Sequence, residues 1–302
     1  MKELPPSVFE LPCLQSLNLD VSGDLGLPNT IYKLRRLRHL DLAIFHNVIG
    51  GGKLKFEGLN ELETINWFDT SLDDTTDLLK LPKLQRLNAT IRDEESLIMI
   101  VDFILNHQDQ FRETKLFINR SMTLENDGST LFMKMLRIVS LSDLRIYCRV
   151  GKLPAYETEL WQSMVYLILE GCYIDEDPME ILENLPMLRK LELWDNAYVG
   201  EQMVCRASGF PKLTNLVVST LGNLTEWRVE KGAMRSLSNL YIDGCDKLEM
   251  IPEGLKFIST LKILRIGSMP EEFKNRARVV DDREGEDYHK IKHIPSIQIS
   301  QY

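Results

Sequence analysis

The stretch Leu185-Pro186-Met187-Leu188-Arg189-Lys190-Leu191-Glu192-Leu193 decides the fold, because its leucines follow the spacing L-x-x-L-x-x-L-x-L. The same spacing of apolar residues starts again at Leu11, Leu34, Leu59, Leu81, Ile138, Trp161, Phe210, Met234 and Ile258. A weaker copy keeps only Leu116 and Ile118. These eleven copies recur 22 to 29 residues apart, and a period of that length indicates one repeated structural unit.

Each L-x-L segment predicts a short strand, since alternate side chains of a strand point to opposite faces. One repeat cannot bury its apolar side alone, so neighbouring repeats must stack. We therefore expect an α/β leucine-rich repeat solenoid, or horseshoe, of about 11 repeats. Its parallel sheet would form the concave face, with irregular loops and short helices on the convex face. The solenoid is expected over residues 1–270, followed by a C-terminal capping tail over residues 271–302.

Other segments predict how the chain crosses the convex side. In Leu27-Pro28-Asn29-Thr30-Ile31 we expect the proline to prevent further strand pairing. Asp93 precedes two glutamates and the apolar run 97–104, which predicts an N-capped amphipathic helix. The polar segment Ser121 to Lys134 predicts a loop that leads into a short helix.

The composition narrows the class of protein. The net charge is −9 and the pI is about 5.2, which disfavours non-specific binding of nucleic acid. No window is long and apolar enough for a membrane span. The five cysteines are odd in number and form no CxxC, so we expect a reducing compartment. Cys172 and Cys245 share a turn position with Asn196, and we interpret that position as structural rather than redox-active or metal-binding.

Two segments resemble catalytic or metal-binding motifs, but each lacks residues that the motif requires. Gly50-Gly51-Gly52-Lys53 lacks the first glycine and the hydroxyl residue of a phosphate loop. His289 and His293 are four residues apart, but Pro295 follows and no third zinc ligand is convincing. The sequence therefore predicts no enzyme, no metal and no cofactor.

A solenoid without catalytic residues has its concave sheet as the obvious working surface. From Phe117 onward, aromatic and charged residues alternate at the positions that point outward from each strand. Tryptophan, tyrosine and arginine dominate protein interfaces, although such residues can also fill space between strands. Trp67 and Trp161 fall on core positions and are expected to pack inside. The predicted partner-binding residues are Phe117, Arg145, Tyr147, Glu192, Trp194, Tyr241, Asp243 and Arg265.

A basic patch lies near the start of the chain. It comprises Arg35, Arg36 and Arg38, and we assign Arg86 to the position equivalent to Arg38 two repeats later. On an acidic protein such a cluster favours an acidic partner segment. A solvated, charged turn is the alternative.

Two features resemble a known family. The phrase Leu81-Pro82-Lys83-Leu84-Gln85-Arg86-Leu87 and the tail, with Met269-Pro270-Glu271-Glu272-Phe273 and the segment 284–297, are similar to the repeat domain of plant nucleotide-binding leucine-rich-repeat receptors of the coiled-coil class. The resemblance covers essentially the whole chain. Because the chain begins inside a repeat and has no phosphate loop, we expect it to be a piece of a longer receptor.

The resemblance implies a recognition domain of plant immunity. Such a domain binds a pathogen effector or a guarded host protein, and it restrains the nucleotide-binding module of its own receptor. It also implies that Arg38 and Arg86 contact an acidic motif of the receptor's coiled coil. The implied location is the cytoplasm, or the cytoplasm and the nucleus. The alternatives are the substrate- or ligand-recognition arm of a ubiquitin ligase, or a generic leucine-rich-repeat scaffold.

Overall fold

The computed structural model describes residues 2–19, 25–124, 128–155, 157 and 160–300. The chain forms two compact units. The first comprises Met1–Met122 and Lys134–Ser142, and the second comprises Thr123–Met133 and Asp143–Tyr302. No helix in the described ranges is long and apolar enough to cross a membrane.

The first unit is built on parallel strands. Its described residues form β1 (Lys2–Glu3), β2 (Ser16–Asn18), β3 (Leu25–Pro28), β4 (His39–Asp41), β5 (His46–Ile49), β6 (Thr64–Asp69), β7 (Arg86–Ile91) and β8 (Glu113–Ile118). The repeat strands lie in the sheet order β2-β4-β6-β7-β8, and β1-β3-β5 form a second sheet that the sequence did not predict. Pro28, expected to prevent strand pairing, is the last residue of β3 and lies opposite Ile49. It is tolerated there because the ladder ends at that residue.

Short helices connect the repeat strands of the first unit. They are the 3-10 helices Pro6–Glu10 and Ile31–Lys33 and the α-helices α1 (Thr75–Leu78) and α2 (Glu94–Asn106). The predicted N-capped helix is confirmed, since the Asp93 side chain accepts a hydrogen bond from the Ser96 backbone N–H at 2.8 Å.

The strands continue beyond residue 140. The described residues there form β9 (Leu141–Ile146), β10 (Tyr166–Glu170), β11 (Lys190–Trp194), β12 (Gln202–Cys205), β13 (Asn215–Ser219), β14 (Glu226–Val229), β15 (Asn239–Asp243), β16 (Ile263–Gly267), β17 (Val279–Val280), β18 (Arg283–Glu284) and β19 (Ser296–Ile299). The sheet of the second unit has the order β9-β10-β11-β13-β15-β16-β19 and is parallel. Two smaller pairs, β12 with β14 and β17 with β18, complete the described strands.

Short helices again fill the connections. They are α3 (Gly128–Leu136), α4 (Met179–Leu182) and α5 (Glu271–Ala277), with 3-10 helices at Glu253–Phe257 and Tyr288–Lys290. α3 confirms the short helix expected after the polar segment, while residues 125–127 of the expected loop lie outside the described residues. The predicted class of parallel sheet with short helices and loops is confirmed, and the count of about 11 repeats stays a prediction.

The repeat leucines form the core of the second unit. Leu167, Leu191, Leu216, Leu240 and Leu264 lie in lateral register on adjacent strands, and all are buried. Burying one such side chain stabilises the fold by about 1.5–3 kcal/mol. This row of buried leucines therefore holds neighbouring repeats together.

The cysteines of the turn positions are structural, as expected. Cys172 and Cys245 are fully buried and unbonded to each other, and each thiol lies against backbone carbonyls, Cys172 at 3.6 Å from the Ile146 oxygen. Asn196 differs, because it is only half-buried. Its side-chain oxygen accepts a hydrogen bond from the Gly222 N–H at 3.2 Å.

The prediction for Trp67 is wrong, whereas that for Trp161 is confirmed. The register of β6 against β7 shifts between Ile65 and Phe68, so that Phe68 takes the core position opposite Ala89. Trp67 adopts a left-handed backbone with a φ of 63° and is half-buried. The leucine spacing does not change when a strand contains an extra residue, so it wrongly predicted that Trp67 lies in the core. Trp161 is 2 % exposed.

The weakest repeat also has a different frame from the one predicted. Thr114, rather than Leu116, lies opposite Leu87, and Leu116 lies opposite Ala89. Thr114 is fully buried, and its hydroxyl contacts that of Ser140 at 2.8 Å. A hydrogen-bonded threonine therefore replaces a core leucine, which is why the pattern looked weak at this point.

The tail is attached to the last repeats of the second unit by polar contacts and by a strand. Asp287 accepts a hydrogen bond from the Ile251 N–H at 3.0 Å, and the Lys290 ammonium donates to the Ile251 carbonyl at 2.9 Å. Arg276 and Lys290 both pair with the buried Asp287 carboxylate. Strand β19 then extends the sheet beside β16. The domain boundary at residue 270 stays a prediction.

Candidate partner-binding site

One face of the sheet in the second unit collects most of the predicted binding residues. Side chains two residues apart on a strand share a face, and lateral neighbours on adjacent strands form rows. The central row is Arg145, Ile168, Glu192, Val217, Tyr241, Arg265 and Gln298. Trp194 and Asp243 lie two residues beyond Glu192 and Tyr241, in the adjoining row. We call this surface the second-unit sheet face.

Glu192 holds Trp194 in place. Its carboxylate accepts a hydrogen bond from the Trp194 indole N–H at 2.7 Å and pairs with the Lys190 ammonium at 2.5 Å. The same ammonium lies 5.5 Å from the centre of the Tyr166 ring. With both partners on its own strand, Glu192 fixes the orientation of the tryptophan ring rather than presenting a free charge.

Trp194 and Tyr241 form an aromatic pair. Their ring centres are 6.4 Å apart at an angle of 60°, and strand β13, with Val217, runs between their strands. Both side chains are half-buried, so each keeps an accessible surface. Tilted aromatic pairs of this kind contribute roughly 0.5–1.5 kcal/mol beyond the area they bury.

Asp243 fixes the Tyr241 hydroxyl. Partial burial, together with the hydrogen bond to Asp243 and its negative charge, raises the pKa of Tyr241, so the phenol stays protonated and donates to the carboxylate. The Ser219 hydroxyl donates to the same carboxylate at 3.1 Å. Gly267 leaves room for both groups, since a Cβ there would lie 2.4 Å from the Asp243 oxygen and 2.9 Å from the Tyr241 oxygen.

A groove of about 560 Å³ lies beside this pair. Its polar rim includes two asparagines in lateral register, Asn215 and Asn239, with Lys190 at one end and Arg265 at the other. Arg265 is exposed, and its Nε–H donates to the Gln298 side-chain oxygen at 3.0 Å.

Sequence reasoning missed four of these residues. Lys190, Asn215 and Asn239 each precede the first core leucine of a strand, and strict alternation places that position on the outward face as well. The prediction used only the two outward positions that follow the first core leucine, so it did not include these three residues. Gln298 comes from the tail, where no repeat pattern marks a strand.

Arg145 and Tyr147 lie on the second-unit sheet face near its β9 edge. Arg145 pairs with Asp143 at 3.1 Å and hydrogen-bonds Tyr147. Ile168 separates Arg145 from Glu192 in the central row. These two residues therefore extend the second-unit sheet face, but they do not line the groove.

Phe117 does not join the other predicted residues. It lies in the first unit, on β8, and is only 6 % exposed because the Trp67 ring packs against it at 5.9 Å between centres. Phe117 does alternate with core residues as predicted, but it is too buried to be available to a partner. The ring that covers it belongs to Trp67, which the register shift in β6 moves out of the core.

In the first unit, the outward side chains of β2, β4 and β6 form what we call the first-unit sheet face, and they hydrogen-bond to one another. Asp41 accepts from the Asn18 side-chain amide at 3.1 Å and from the Asn66 amide at 2.5 Å. These three residues occupy the same lateral row on β2, β4 and β6. The Asp41 carboxylate is therefore engaged within this row.

The basic patch is partly neutralised, and one of its assignments is wrong. Arg38 pairs with Glu63 at 2.5 Å, and Arg86 lies 3.9 Å from Glu113. Arg86 is in register with His39 through Thr64, so it is not equivalent to Arg38; the repeat frame counted back one residue too far. Arg35 and Arg36 are exposed, with no acidic partner in the described part of the first unit.

The remaining histidines and cysteines that could have supported catalysis or metal binding make structural contacts or are buried. The ring of His289 donates to the Glu286 carbonyl at 2.8 Å, and His293 contacts the Ile258 carbonyl at 3.2 Å. Burial raises the pKa of the Cys148 and Cys205 thiols to about 12, which keeps them protonated and weakly nucleophilic. Among the residues described, no cluster of histidine, cysteine and carboxylate could hold a metal ion.

Comparison with known proteins identifies the family to which the chain belongs. A family model described as "leucine-rich repeat region" matches residues 1–276. The chain is 35 % identical over 304 residues to the probable disease resistance RPP8-like protein 2 of Arabidopsis thaliana, and 33 % identical over 300 residues to the disease resistance protein RPP8 of the same plant. Each alignment covers 99 % of this chain and 32 % of the relative. The chain thus spans about a third of the length of these relatives.

Solved structures give weaker matches. A complex of TLR13 with ssRNA13 aligns with 17 % identity and a TM-score of 0.41, covering 100 % of this chain and 48 % of the other. The leucine-rich-repeat protein LIC12759 of Leptospira interrogans aligns with 16 % identity and a TM-score of 0.38, covering 99 % and 93 %.

The family match and the relatives agree with the resemblance drawn from the repeat phrases and the tail. The chain belongs to the leucine-rich repeat family and is similar over almost its whole length to about a third of the length of plant disease-resistance proteins.

Proposed function

We propose that this repeat region is the recognition module of a plant immune receptor with a coiled coil and a nucleotide-binding module. Its second-unit sheet face binds a pathogen effector or a guarded host protein. The observation that carries the proposal is the aromatic pair Trp194 and Tyr241, held open beside a groove by Glu192 and Asp243. Pre-oriented aromatic side chains of this kind form the centres of protein interfaces.

The proposed module has no activity of its own. Its buried thiols are protonated, and the carboxylates of the second-unit sheet face are held by hydrogen bonds and ion pairs. The proposed location is the cytoplasm, or the cytoplasm and the nucleus, which the free thiols of all five cysteines support. The solenoid over residues 1–270 and the capping tail over 271–302 remain part of the proposal.

The second part of the proposal is restraint of the receptor's own nucleotide-binding module. Arg35 and Arg36 support it, since they are exposed beside the paired Arg38. Replacing both by glutamate should weaken co-purification with the separately expressed coiled-coil and nucleotide-binding modules. Equal co-purification of this variant and the wild type would remove this contact from the proposal.

Matched baits test the recognition surface. Wild-type chain, Trp194→Ala and Tyr241→Ala would be used to capture proteins from infected leaf tissue, with quantification by mass spectrometry. Tyr173→Ala is the control, because Tyr173 is an exposed aromatic, 41 % accessible, that stacks under Arg149 rather than lining the groove. We expect a set of proteins that is lost from Trp194→Ala and Tyr241→Ala and kept by the control. Identical captures by all four baits would refute the assignment of the second-unit sheet face.

A further inference from the structure

We propose that the groove selects a partner segment with an acidic side chain, whose carboxylate pairs with Arg265, and that Gln298 of the tail is the positioning residue for that guanidinium. The inference rests on the proposed function, since it assigns the chemistry of the partner at the same second-unit sheet face.

Among the described residues, three charged side chains line the groove, and two of them, Lys190 and Glu192, form an ion pair. The Asp243 carboxylate keeps its charge but lies outside the lining, where it accepts hydrogen bonds from Ser219 and Tyr241. Arg265 is exposed, and no carboxylate among residues 160–300 lies within ion-pair distance of it. The groove therefore presents a single uncompensated positive charge at one end.

Gln298 determines how that charge is presented. Its side-chain oxygen accepts from the Arg265 Nε–H at 3.0 Å, and its amide nitrogen donates to the Ser296 hydroxyl at 3.4 Å. The bond to Nε leaves the terminal nitrogens of the guanidinium available. A carboxylate matches those two nitrogens with parallel hydrogen bonds, a geometry that a phosphate also uses but that a neutral side chain does not reproduce.

The groove also suits the backbone of a peptide segment. The Asn215 side-chain oxygen accepts from the Thr214 hydroxyl at 2.9 Å, which leaves its NH₂ group as a donor. The Asn239 amide nitrogen donates to the Ser238 hydroxyl at 2.9 Å, which leaves its oxygen as an acceptor. Asn215 and Asn239 lie opposite each other on adjacent strands, which are about 4.8 Å apart. One donor beside one acceptor complements the C=O and N–H of a peptide chain.

The aromatic pair supplies the third element. An apolar side chain of the segment would pack on Trp194 and Tyr241, while the acidic side chain reaches Arg265. The partner is therefore a protein segment that carries an apolar residue near an aspartate or a glutamate.

A displayed peptide library tests this chemistry without knowledge of the natural partner. A library of random 12-residue peptides would be selected on the full 302-residue wild-type chain and on the variants Arg265→Glu, Gln298→Glu and Trp194→Ala. Arg265 and Gln298 are both exposed, so these variants are expected to fold, which a thermal melt checks. Gln298→Glu keeps an acceptor for Arg265 but neutralises its charge.

We expect aspartate and glutamate to be enriched on the wild type, to lose their enrichment on Gln298→Glu, and to be replaced by lysine and arginine on Arg265→Glu. A selected acidic peptide should bind Arg265→Glu at least tenfold more weakly in a fluorescence polarisation assay, and replacing its acid by the amide should weaken binding to the wild type equally. Gln298→Leu removes the acceptor without adding a charge, so it should weaken the acidic preference if Gln298 positions the guanidinium; an unchanged preference on this variant would remove that role.

The outcomes separate the two proposals. Peptides that depend on Trp194 but show no acidic preference, or the same preference on the wild type and both charge variants, would overturn the role of Arg265 and leave the binding face intact. Peptides that bind Trp194→Ala as well as the wild type, or no enrichment at all, would overturn the binding face itself.

Discussion

The sheet faces of the two units are built on the same repeat, but they differ in how their polar groups are used. In the first unit Asp41 accepts from two asparagines in its own row, and Trp67 covers Phe117. In the second unit Glu192 and Asp243 instead orient Trp194 and Tyr241, whose rings stay accessible. The first unit therefore uses these contacts within its own sheet, while the second-unit sheet face uses its internal contacts to hold side chains ready for a partner.

The largest effect should come from the ion cluster that attaches the tail to the second unit. Asp287→Ala leaves Lys290 and Arg276 without their buried partner, and we expect the free energy of unfolding to fall by about 4 kcal/mol. Urea denaturation measures this. Glu286→Ala is the control, because Glu286 is exposed and its loss should change stability by about 0.5 kcal/mol. Equal effects of the two substitutions would contradict the buried role of Asp287.

A pair of substitutions distinguishes an aromatic residue that stabilises the fold from one that binds a partner. Phe117→Ala removes a buried ring from the first unit and should cost about 3 kcal/mol of stability, without changing which proteins the chain captures. Trp194→Ala should do the opposite, since Trp194 is half-buried and lines no core. Thermal melts and capture experiments on both variants check the contrast. Loss of captured proteins from Phe117→Ala at unchanged stability would erase the distinction between the two sheet faces.

A pH dependence of intermediate size should arise in the first unit at His46. Burial opposes a charge on His46, but the hydrogen bond to Asp73 at 3.0 Å and its negative charge outweigh this and raise the pKa of His46 above 6.5. The folded chain then binds more protons than the unfolded chain. This stability is present below pH 6.5 and is lost as the pH rises through the raised pKa.

Urea denaturation over a pH series tests that sign. The wild type should lose stability above pH 6.5, and His46→Gln should lose this component of the pH dependence. A wild-type profile that rises over the same range would show that the pair is not protonated in the folded chain.

The smallest effect is expected at the basic patch. Arg38 and Glu63 form an exposed pair, so Arg38→Ala should lower stability by about 0.5 kcal/mol, which is within the scatter of surface substitutions. Chemical denaturation measures it. A loss of several kcal/mol would mean that the patch is structural and would weaken its proposed role toward the nucleotide-binding module.

The leucine spacing predicted the strands because burial of Leu191, Leu216 and Leu240 requires that period. It also predicted Glu192, Trp194, Tyr241, Asp243 and Arg265 on one face, which follows from strand alternation. It could not predict the extra residue at Trp67, since a register shift changes no leucine. Nor could it predict that Phe117 is covered, because that contact joins residues 50 positions apart in the sequence.

The strand contributed by the tail has a consequence for how the protein is made. Strands β10 and β11 pair across 24 residues, so this part of the sheet can assemble as the chain emerges from the ribosome. Gln298 pairs with Arg265 across 33 residues, so it is synthesised after the repeat strands whose face it completes. A truncation shortly before Gln298 would leave earlier repeats paired while removing the residue that orients Arg265, and so would yield a folded repeat region with an incomplete groove.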